Sequence, residues 1–312
     1  MRTRFIETLT QMAEQDPRIT LVVGDLGYSV VEDFAARFPG RFFNAGVAEQ
    51  NMTGMAAGLA MAGRVVFTYS IANFPTLRCL EQIRNDVCYH NLPVKVVTVG
   101  AGYAYGAHGY THHGLEDLGV MRALPNMTIA SPADSVECEA LTRFLCTDSG
   151  PGYLRMGRNR EPILHTGQAP IIDRHTLPTL RQGQDVVFVA TGSVTGEAIA
   201  ASDALAQQGV EAGVVSVPFI KPFAREAFLK AVEHASVVIT VEEHCGFGGL
   251  GSVVAEVMAE EGVRARLLRR HSPERVEAIG DQGFMRRAAG LDAQSLARSA
   301  AAAVGRPLSR VA

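Results

Sequence analysis

Short apolar runs alternate with segments of helical period along the whole chain. The runs at 19–23, 94–99 and 237–241 have few polar positions, which is typical of strands buried on both faces of a parallel sheet. Between the runs, apolar residues recur at helical spacing, as in residues 4–15, and the spacing predicts a single helix over about 76–90. Strands that alternate with helices favour an α/β fold with doubly wound, mainly parallel sheets.

This alternation is interrupted once, at residues 161–184. The segment is rich in Pro, Gly, Arg and His and has no clear period, so we interpret it as a linker. It separates residues 1–160 from residues 185–312, and each of these units would hold one sheet. Two domains are also expected for 312 residues, because a single hydrophobic core stops growing at about 250–300 residues.

The composition excludes several classes of protein. A net charge of −3, with 47% hydrophobic and 20% charged residues, predicts no binding to nucleic acid or to an anionic membrane. No apolar run is long enough to span a membrane, and the N-terminal residues lack the apolar core of a signal peptide. The five cysteines form no CxxC pair, which favours neither disulfides nor zinc. We therefore expect a cytoplasmic protein.

The stretch FFNAGVAEQNMTGMAAGLAMAG, residues 42–63, contains one ionisable side chain, Glu49. The Ala, Gly and Met residues after it predict a helix of small side chains, which another backbone can approach closely at a subunit interface or a cofactor site. A carboxyl group in such surroundings resists ionisation, so we expect a raised pKa for Glu49. That pKa suits a group that exchanges a proton near neutral pH. The alternative is a solvated carboxylate, which the apolar surroundings disfavour.

The same stretch carries a family resemblance. GVAEQNMTGMAAGLAMAG resembles the motif that thiamine-diphosphate enzymes of the transketolase family place in their pyrimidine-binding domain. The resemblance implies that Glu49 contacts the ring nitrogen of the aminopyrimidine, where proton exchange activates the cofactor. VVFTYSIANFPT, residues 65–76, is similar to the family segment around that ring, which implies that Phe74 stacks on it, with Tyr69 and Ile71 nearby. The alternative for these side chains is ordinary core packing.

Residues 100–114, GAGYAYGAHGYTHHG, contain three histidines. His108 and His112 have the i, i+4 spacing of metal ligands on a helix, but the glycines disfavour a helix and no acidic third ligand is evident, so we expect no metal site. The loop resembles the G-x-D-G-x-T-H segment of the transketolase family. The resemblance implies that His112 faces the substrate and the reacting centre, where an imidazole can move protons near neutral pH.

Departures from the family pattern bear on the substrate. His108 stands where many transketolases have aspartate, and Gly100 stands where they have a histidine. Those positions help to read substrate hydroxyls, so we expect a substrate other than the common pentose and heptose phosphates. By position, three residues resemble those that grip the sugar phosphate, and a fourth matches an acid near the cofactor and the dimer contact: Arg4, Ser29 and Arg158, and Asp25.

One family motif is missing. The diphosphate is held through a divalent metal by a GDG motif, and this chain has only GDL at 24–26 and GDQ at 280–282. Burying a diphosphate without a counter-charge would be prohibitive. The resemblance therefore implies the C-terminal half of a split transketolase. A separate N-terminal subunit would hold the Mg²⁺ and the diphosphate, and this chain would self-associate as the core of an α2β2 assembly.

The implied activity is transfer of a two-carbon ketol unit between phosphorylated sugars. The β chain of a 2-oxoacid dehydrogenase and an enzyme of the 1-deoxyxylulose-5-phosphate synthase type remain open, the second because of His113 and Gly114. A non-catalytic assembly partner also remains open.

GFGGLG at 246–251 spells a dinucleotide-binding fingerprint between a strand and a helix. However, the acidic residue expected about 20 residues further on is missing, since that region reads LLRRHS. The stretch also resembles one that serves packing and assembly in the family's C-terminal domain, so an NAD-binding protein is the weaker alternative.

Overall fold

Twelve strands form two sheets in the computed structural model of the protein, which describes residues 1–158, 161–166 and 170–305. The strands are β1 Ile19–Val23, β2 Phe42–Asn44, β3 Val65–Ile71, β4 Val94–Val99, β5 Thr128–Ala130, β6 Gly152–Met156, β7 Thr179–Arg181, β8 Val186–Ala190, β9 Ala212–Ser216, β10 Phe219–Lys221, β11 Val237–Val241 and β12 Arg266–Arg270.

Helices connect most of these strands, as the alternating pattern predicts. They are α1 Arg2–Gln15, α2 Glu32–Arg37, α3 Glu49–Met61, α4 Leu80–Gln82, α5 Asp117–Arg122, α6 Ser135–Thr147, α7 Thr195–Ala206, α8 Arg225–Val232, α9 Leu250–Glu261, α10 Gln282–Ala289 and α11 Ala293–Ala303. None of the described helices is long and apolar enough to cross a bilayer.

Both sheets are mainly parallel, which confirms the predicted α/β class. The first has the order β10-β5-β6-β4-β3-β1-β2, and the second has the order β12-β11-β8-β9-β7. The antiparallel pairs are β10 with β5 and β7 with β9, each at a sheet edge. Every residue of β1, β4, β8 and β11 is buried, because helices cover both faces of a parallel sheet.

Several elements differ from the sequence prediction. The segment predicted as one helix over about 76–90 consists of a 3₁₀ turn at Leu77–Cys79, the short α4 and a π-helical stretch at Ile83–Cys88. The short strand β7 lies inside the segment interpreted as a linker. The strand β10 comes from the second half of the chain but pairs with β5 of the first sheet. The two halves therefore share a sheet edge.

The residues between β4 and α5 belong to the first half of the chain and contact the second half. We call residues 100–114 the histidine loop. It contains two 3₁₀ turns, Gly106–His108 and Tyr110–His112, so the expectation that its glycines prevent an α-helix is confirmed. Helix α10 packs against the first of these turns. The loop therefore lies between the first sheet and the C-terminal part of the chain.

Candidate active site

Glu49 is the first residue of α3, and its side chain is only 2% exposed. A Cβ atom placed on Gly24 would lie 3.5–3.6 Å from Ser70 Oγ, Glu49 Cγ and Met52 Sδ, so these three side chains surround one point of the backbone. Ser70 Oγ is buried and has no hydrogen-bond partner among the described residues. The sequence prediction of an enclosed carboxyl group agrees with this placement.

Arg78 is the ion-pair partner of Glu49. Its Nη1 donates to Glu49 Oε2 at 2.7 Å, and its own side chain is about half exposed. The other carboxylate oxygen, Oε1, accepts no hydrogen bond within the described part of the chain. Sequence reasoning missed Arg78, because a lone arginine in a helical pattern reads as a surface residue. One oxygen of Glu49 is thus held, and the other remains available.

Phe74 connects this ion pair to the histidine loop. The guanidinium carbon of Arg78 lies 5.1 Å from the centre of the Phe74 ring. The ring of His112 meets Phe74 edge to face, with the ring centres 5.4 Å apart. The structure thus brings the predicted residues Glu49, Phe74 and His112 together, with Arg78 between the first two.

Tyr69, also predicted to lie near the pyrimidine ring, packs against α1. Tyr69 is buried, and its ring stacks on Phe5 of α1 with the ring centres 6.0 Å apart. Successive side chains of a strand point to opposite faces, so Tyr69 and Ile71 point away from the face on which Ser70 lies near Glu49. Burial raises the pKa of the Tyr69 hydroxyl, which has no hydrogen-bond partner among the described residues. For Tyr69 and Ile71 the cofactor contact stays a prediction.

Three rings of the histidine loop form one cluster. The ring centres of His108 and His112 are 5.2 Å apart, and Tyr105 meets them edge to face at 5.6 and 6.4 Å. Burial, together with the nearby His108 and His113, lowers the pKa of His112 below its ordinary value. His112 is therefore neutral at neutral pH and can accept a proton.

The third histidine of the loop, His113, is buried and hydrogen-bonded within the loop. His113 is fully buried, and its Nε2 lies 3.0 Å from the carbonyl oxygen of Gly106, to which it donates. Its ring also meets Tyr103 edge to face, with the centres 5.5 Å apart. No group of three or more His, Cys, Asp or Glu side chains suited to a metal ion occurs in the residues that the structure describes.

The predicted phosphate residues differ in where they lie. The exposed guanidinium of Arg158 lies 4.8 Å from the centre of the Tyr105 ring, next to the histidine cluster. Arg4 is on an exposed part of α1 and pairs with Glu7 and Glu139, each at 3.7 Å. Arg158 alone is thus joined to the cluster by a described contact.

Asp25 and Ser29 belong to the loop after β1. Asp25 accepts a hydrogen bond from Asn44 at 3.0 Å, and the backbone N–H of Ser29 donates to Glu32 at 2.7 Å. Both residues have positive φ, 53° and 61°, which is uncommon for side chains other than glycine. Their roles toward cofactor and substrate stay predictions.

Arg2 is a second arginine that sequence reasoning passed over. It is the first residue of α1, and its Nε is buried without a hydrogen-bond partner among the described residues. Arg2 is also close enough to Tyr69 to oppose the effect of burial on the pKa of that hydroxyl. The sequence MRTR alone does not indicate which of the two arginine side chains, Arg2 or Arg4, points toward the protein interior.

The GFGGLG stretch has a different use from nucleotide binding. It leads into α9, and the Glu242 carboxylate accepts hydrogen bonds from the backbone N–H groups of Leu250 and Gly251 at 2.7 and 2.8 Å. A dinucleotide site uses such N–H groups at a helix start to hold its pyrophosphate. Here an internal carboxylate already occupies them.

Known proteins resemble the chain over almost its full length. Two family models match: the transketolase pyrimidine-binding domain over residues 1–162, and the transketolase C-terminal domain over residues 176–296. One of the subunits of an apulose-4-phosphate transketolase, from Actinobacillus succinogenes, is 37% identical, over 95% of this chain and 94% of that protein.

Two further relatives extend the comparison. The 1-deoxy-D-xylulose-5-phosphate synthase 2 of Geobacter sulfurreducens is 37% identical over 94% of this chain, which spans 47% of that protein. A structure described as a split gene transketolase, inactive beta4 tetramer, superposes with a TM-score of 0.87 at 34% identity and covers 98% of both chains. The chain therefore belongs to the transketolase family, of which it comprises the pyrimidine-binding and C-terminal domains.

Proposed function

We propose that this protein is the C-terminal subunit of a split transketolase that uses thiamine diphosphate to transfer a two-carbon ketol unit between phosphorylated sugars. The observation that carries the proposal is the Glu49 carboxylate, which is buried at the start of α3 with one oxygen unpaired. It is joined through Arg78 and Phe74 to the neutral imidazole of His112.

The residues around Glu49 fit the pyrimidine half of the cofactor. An aminopyrimidine offers ring nitrogens and an amino group, and the available Glu49 oxygen and the unpartnered Ser70 hydroxyl are matching polar groups. The half-buried ring of Phe74 supplies an aromatic surface beside them. When bound, thiamine diphosphate supplies the nucleophilic carbon and the electron sink for breaking a carbon–carbon bond next to a carbonyl.

The side chains of this chain would then handle protons. Glu49 would hold a proton toward a ring nitrogen of a bound pyrimidine, and its burial would strengthen such a contact because water is excluded. His112 accepts and returns a proton at the substrate oxygen, for which a lowered pKa is suitable because the ring starts neutral. Arg78 keeps the Glu49 carboxylate in place.

The histidine loop also supports a substrate that differs from the common pentose and heptose phosphates. The ring of Tyr105 occupies the space in which a side chain at position 100 would begin, so Gly100 and Tyr105 together replace the histidine common in the family. Arg158 over the Tyr105 ring and the inward-pointing Arg2 are the arginines that we propose for an anionic end of the substrate. His108, whose ring meets that of Tyr105 edge to face, is a further residue that we propose to contact the substrate.

A separate N-terminal subunit would supply the diphosphate and Mg²⁺ contacts, because the chain has no GDG motif. The A. succinogenes relative is itself named as one subunit of a transketolase, and the superposed split transketolase is described as an inactive tetramer of beta chains. By analogy, we propose that this chain self-associates and becomes active as the core of an α2β2 assembly.

A synthase of the 1-deoxyxylulose-5-phosphate type is the second candidate. The Geobacter relative is as similar in sequence as the transketolase subunit, although this chain spans about half of that protein. The two reactions differ in the donor, since the synthase would take a 2-oxoacid and the transketolase a ketose.

The test is Glu49→Gln in the complex with the N-terminal subunit, assayed for transfer between ketose and aldose phosphates. Loss of a proton-transfer group costs about 10²–10⁴ in rate, so we expect turnover to fall by at least about 100-fold. Glu137→Gln is the matched control, since Glu137 is also a buried carboxylate with a hydrogen-bonded side-chain partner, His165. Turnover by Glu49→Gln close to that of Glu137→Gln would contradict the proposal.

A further inference from the structure

The histidine loop rests on side chains from the C-terminal part of the chain. Gly102, near the start of the loop, has a φ of +59°, and a Cβ at this position would collide with Glu243. A Cβ on Gly106 would collide with the carbonyl oxygen of Gly280 and would lie 3.0 Å from Met285 Cγ. Gly102 and Gly106 are therefore both in close contact with residues that follow β11 in the chain.

A hydrogen-bonded set holds Glu243 against the loop. We call Glu243, Gln282 and Arg286 the C-terminal brace. Gln282 Nε2 donates to the two carboxylate oxygens of Glu243 at 3.2 and 3.1 Å, and Arg286 Nε donates to Oε1. The Arg286 guanidinium is itself fixed by Ser193 Oγ at 2.9 Å and by Glu197 at 3.4 Å. Glu243 and Arg286 are 4% and 12% exposed.

Arg155 of β6 connects the brace to the base of the loop. Its Nη2 donates to the carbonyl oxygens of Gly114 and Glu243 at 2.7 and 2.8 Å, and its Nε donates to Asp117 at 2.6 Å. Gly114 in turn exchanges backbone hydrogen bonds with Gly102 at 3.0 and 3.1 Å. The two ends of the loop are thus joined to each other and to Glu243.

We propose that Glu243 and Arg286 are positioning residues, through which the C-terminal domain holds the histidine loop in its working conformation. Neither makes a described contact with His108 or His112. They act on these rings by fixing the backbone from Gly102 to Gly114. The assignment of a working role to the rings rests on the proposed function, whereas the contact between brace and loop stands on the geometry alone.

Hydrogen–deuterium exchange measures the brace without any assay of activity. In Glu243→Gln, which keeps the shape of the side chain but removes its charge, and in Arg286→Met, we expect amides of residues 100–114 to exchange at least tenfold faster. Amides of the buried strand β8 should keep their rates. Arg122→Met is the matched control, because it removes another ion pair between the two halves, with Glu256, that involves no residue of the loop or brace.

The complex with the N-terminal subunit supplies the second readout. A shifted loop should lower kcat by about tenfold or more, with a smaller change in the KM for thiamine diphosphate, because Glu49 makes no described contact with the brace or with the histidine loop. Arg286→Lys, which restores a cation, should recover part of the loss. A general loss of stability would instead accelerate exchange throughout the chain.

Unchanged exchange in residues 100–114 of Glu243→Gln, or equal acceleration in the loop and in β8, would overturn the proposal. An inactive wild-type complex would refute the proposed function but leave the exchange comparison to decide on the brace.

Discussion

At the scale of single residues, the pKa of His112 determines what this side chain can do. Burial lowers the pKa first, and the nearby His108 and His113 add to the effect because a second positive charge is unfavourable there. His112 is therefore in its neutral form at neutral pH, which is the form that accepts a proton. His108 thus changes the acid–base chemistry of the histidine beside it.

Removing His108 should raise the pKa of His112. In His108→Ala we expect the pKa to move toward its ordinary value of 6.5 while staying below it, because the burial of His112 remains. An NMR titration of the imidazole proton resonances measures this pKa directly. His175→Ala, which removes an exposed histidine of another segment, is the control. An unchanged or lower pKa of His112 in His108→Ala would contradict this account of the cluster.

For Glu49, the burial could be predicted from the sequence, but the contact with Arg78 could not. The burial of Glu49 could be foreseen, because it is the only ionisable residue in a long stretch of small and apolar side chains. Arg78 is 29 positions further along the chain, and nothing in that spacing relates the two. Their contact exists only once α3 and the turn after β3 are packed together. The same limit applies to Arg2 and Arg4, since the sequence MRTR does not indicate which of the two side chains is the more buried.

At the scale of elements, the start of α6 fixes the segment that follows the first sheet. SPAD predicts a helix N-cap, and the prediction is confirmed: Asp134 Oδ1 accepts from the backbone N–H groups of Val136 and Glu137. Its other oxygen accepts from the N–H groups of Leu164 and His165, and His165 Nε2 pairs with Glu137 at 2.9 Å. One helix terminus thus holds both Leu164 and His165.

The pair of His165 and Glu137 should make stability depend on pH. Burial lowers the pKa of His165, but the hydrogen bond and the charge of Glu137 outweigh it, so the pKa is raised in the folded protein. A raised pKa means that the stabilisation is fully present below the unfolded-state pKa, about 6.5, and is lost as pH rises through the folded-state pKa.

Urea unfolding at a series of pH values measures this loss. From pH 6 to pH 9, we expect the free energy of unfolding of the wild type to fall relative to that of His165→Gln, which cannot titrate. His234→Gln, in which an exposed histidine is replaced, should follow the wild type. Parallel curves for the wild type and His165→Gln would show that the pair contributes no pH-dependent stability.

Most strands and helices could be predicted, because a buried parallel strand and an amphipathic helix each leave a pattern over five or more residues. The three-residue strand β7 lies in the segment rich in Pro, Gly, Arg and His, and the three-residue strand β10 is an edge strand whose antiparallel pairing with β5 leaves no pattern in the sequence. The π-helical stretch at Ile83–Cys88 has six residues, over which its period resembles that of an α-helix. Helix α10 follows a segment without regular pattern, and the sequence offered no reason to place it against the histidine loop.

At the scale of the whole molecule, the two halves contact each other on several sides of the histidine loop. The strand β10 extends the first sheet, Arg155 binds the backbone of Glu243, and α10 supports the loop from the C-terminal side. The two-sheet architecture was foreseeable from the alternating pattern, but this interlocking was not, because it depends on contacts between residues about 90 to 180 positions apart.

The central claim is that this chain holds the pyrimidine end of thiamine diphosphate, while a partner subunit holds the diphosphate and its metal. Calorimetric titration of thiamine diphosphate with Mg²⁺ into the chain alone, and into its mixture with the N-terminal subunit, tests this division directly. The account predicts heat of binding in the mixture and none for the chain alone. Tight binding by the chain alone, or no binding in either sample, would contradict it.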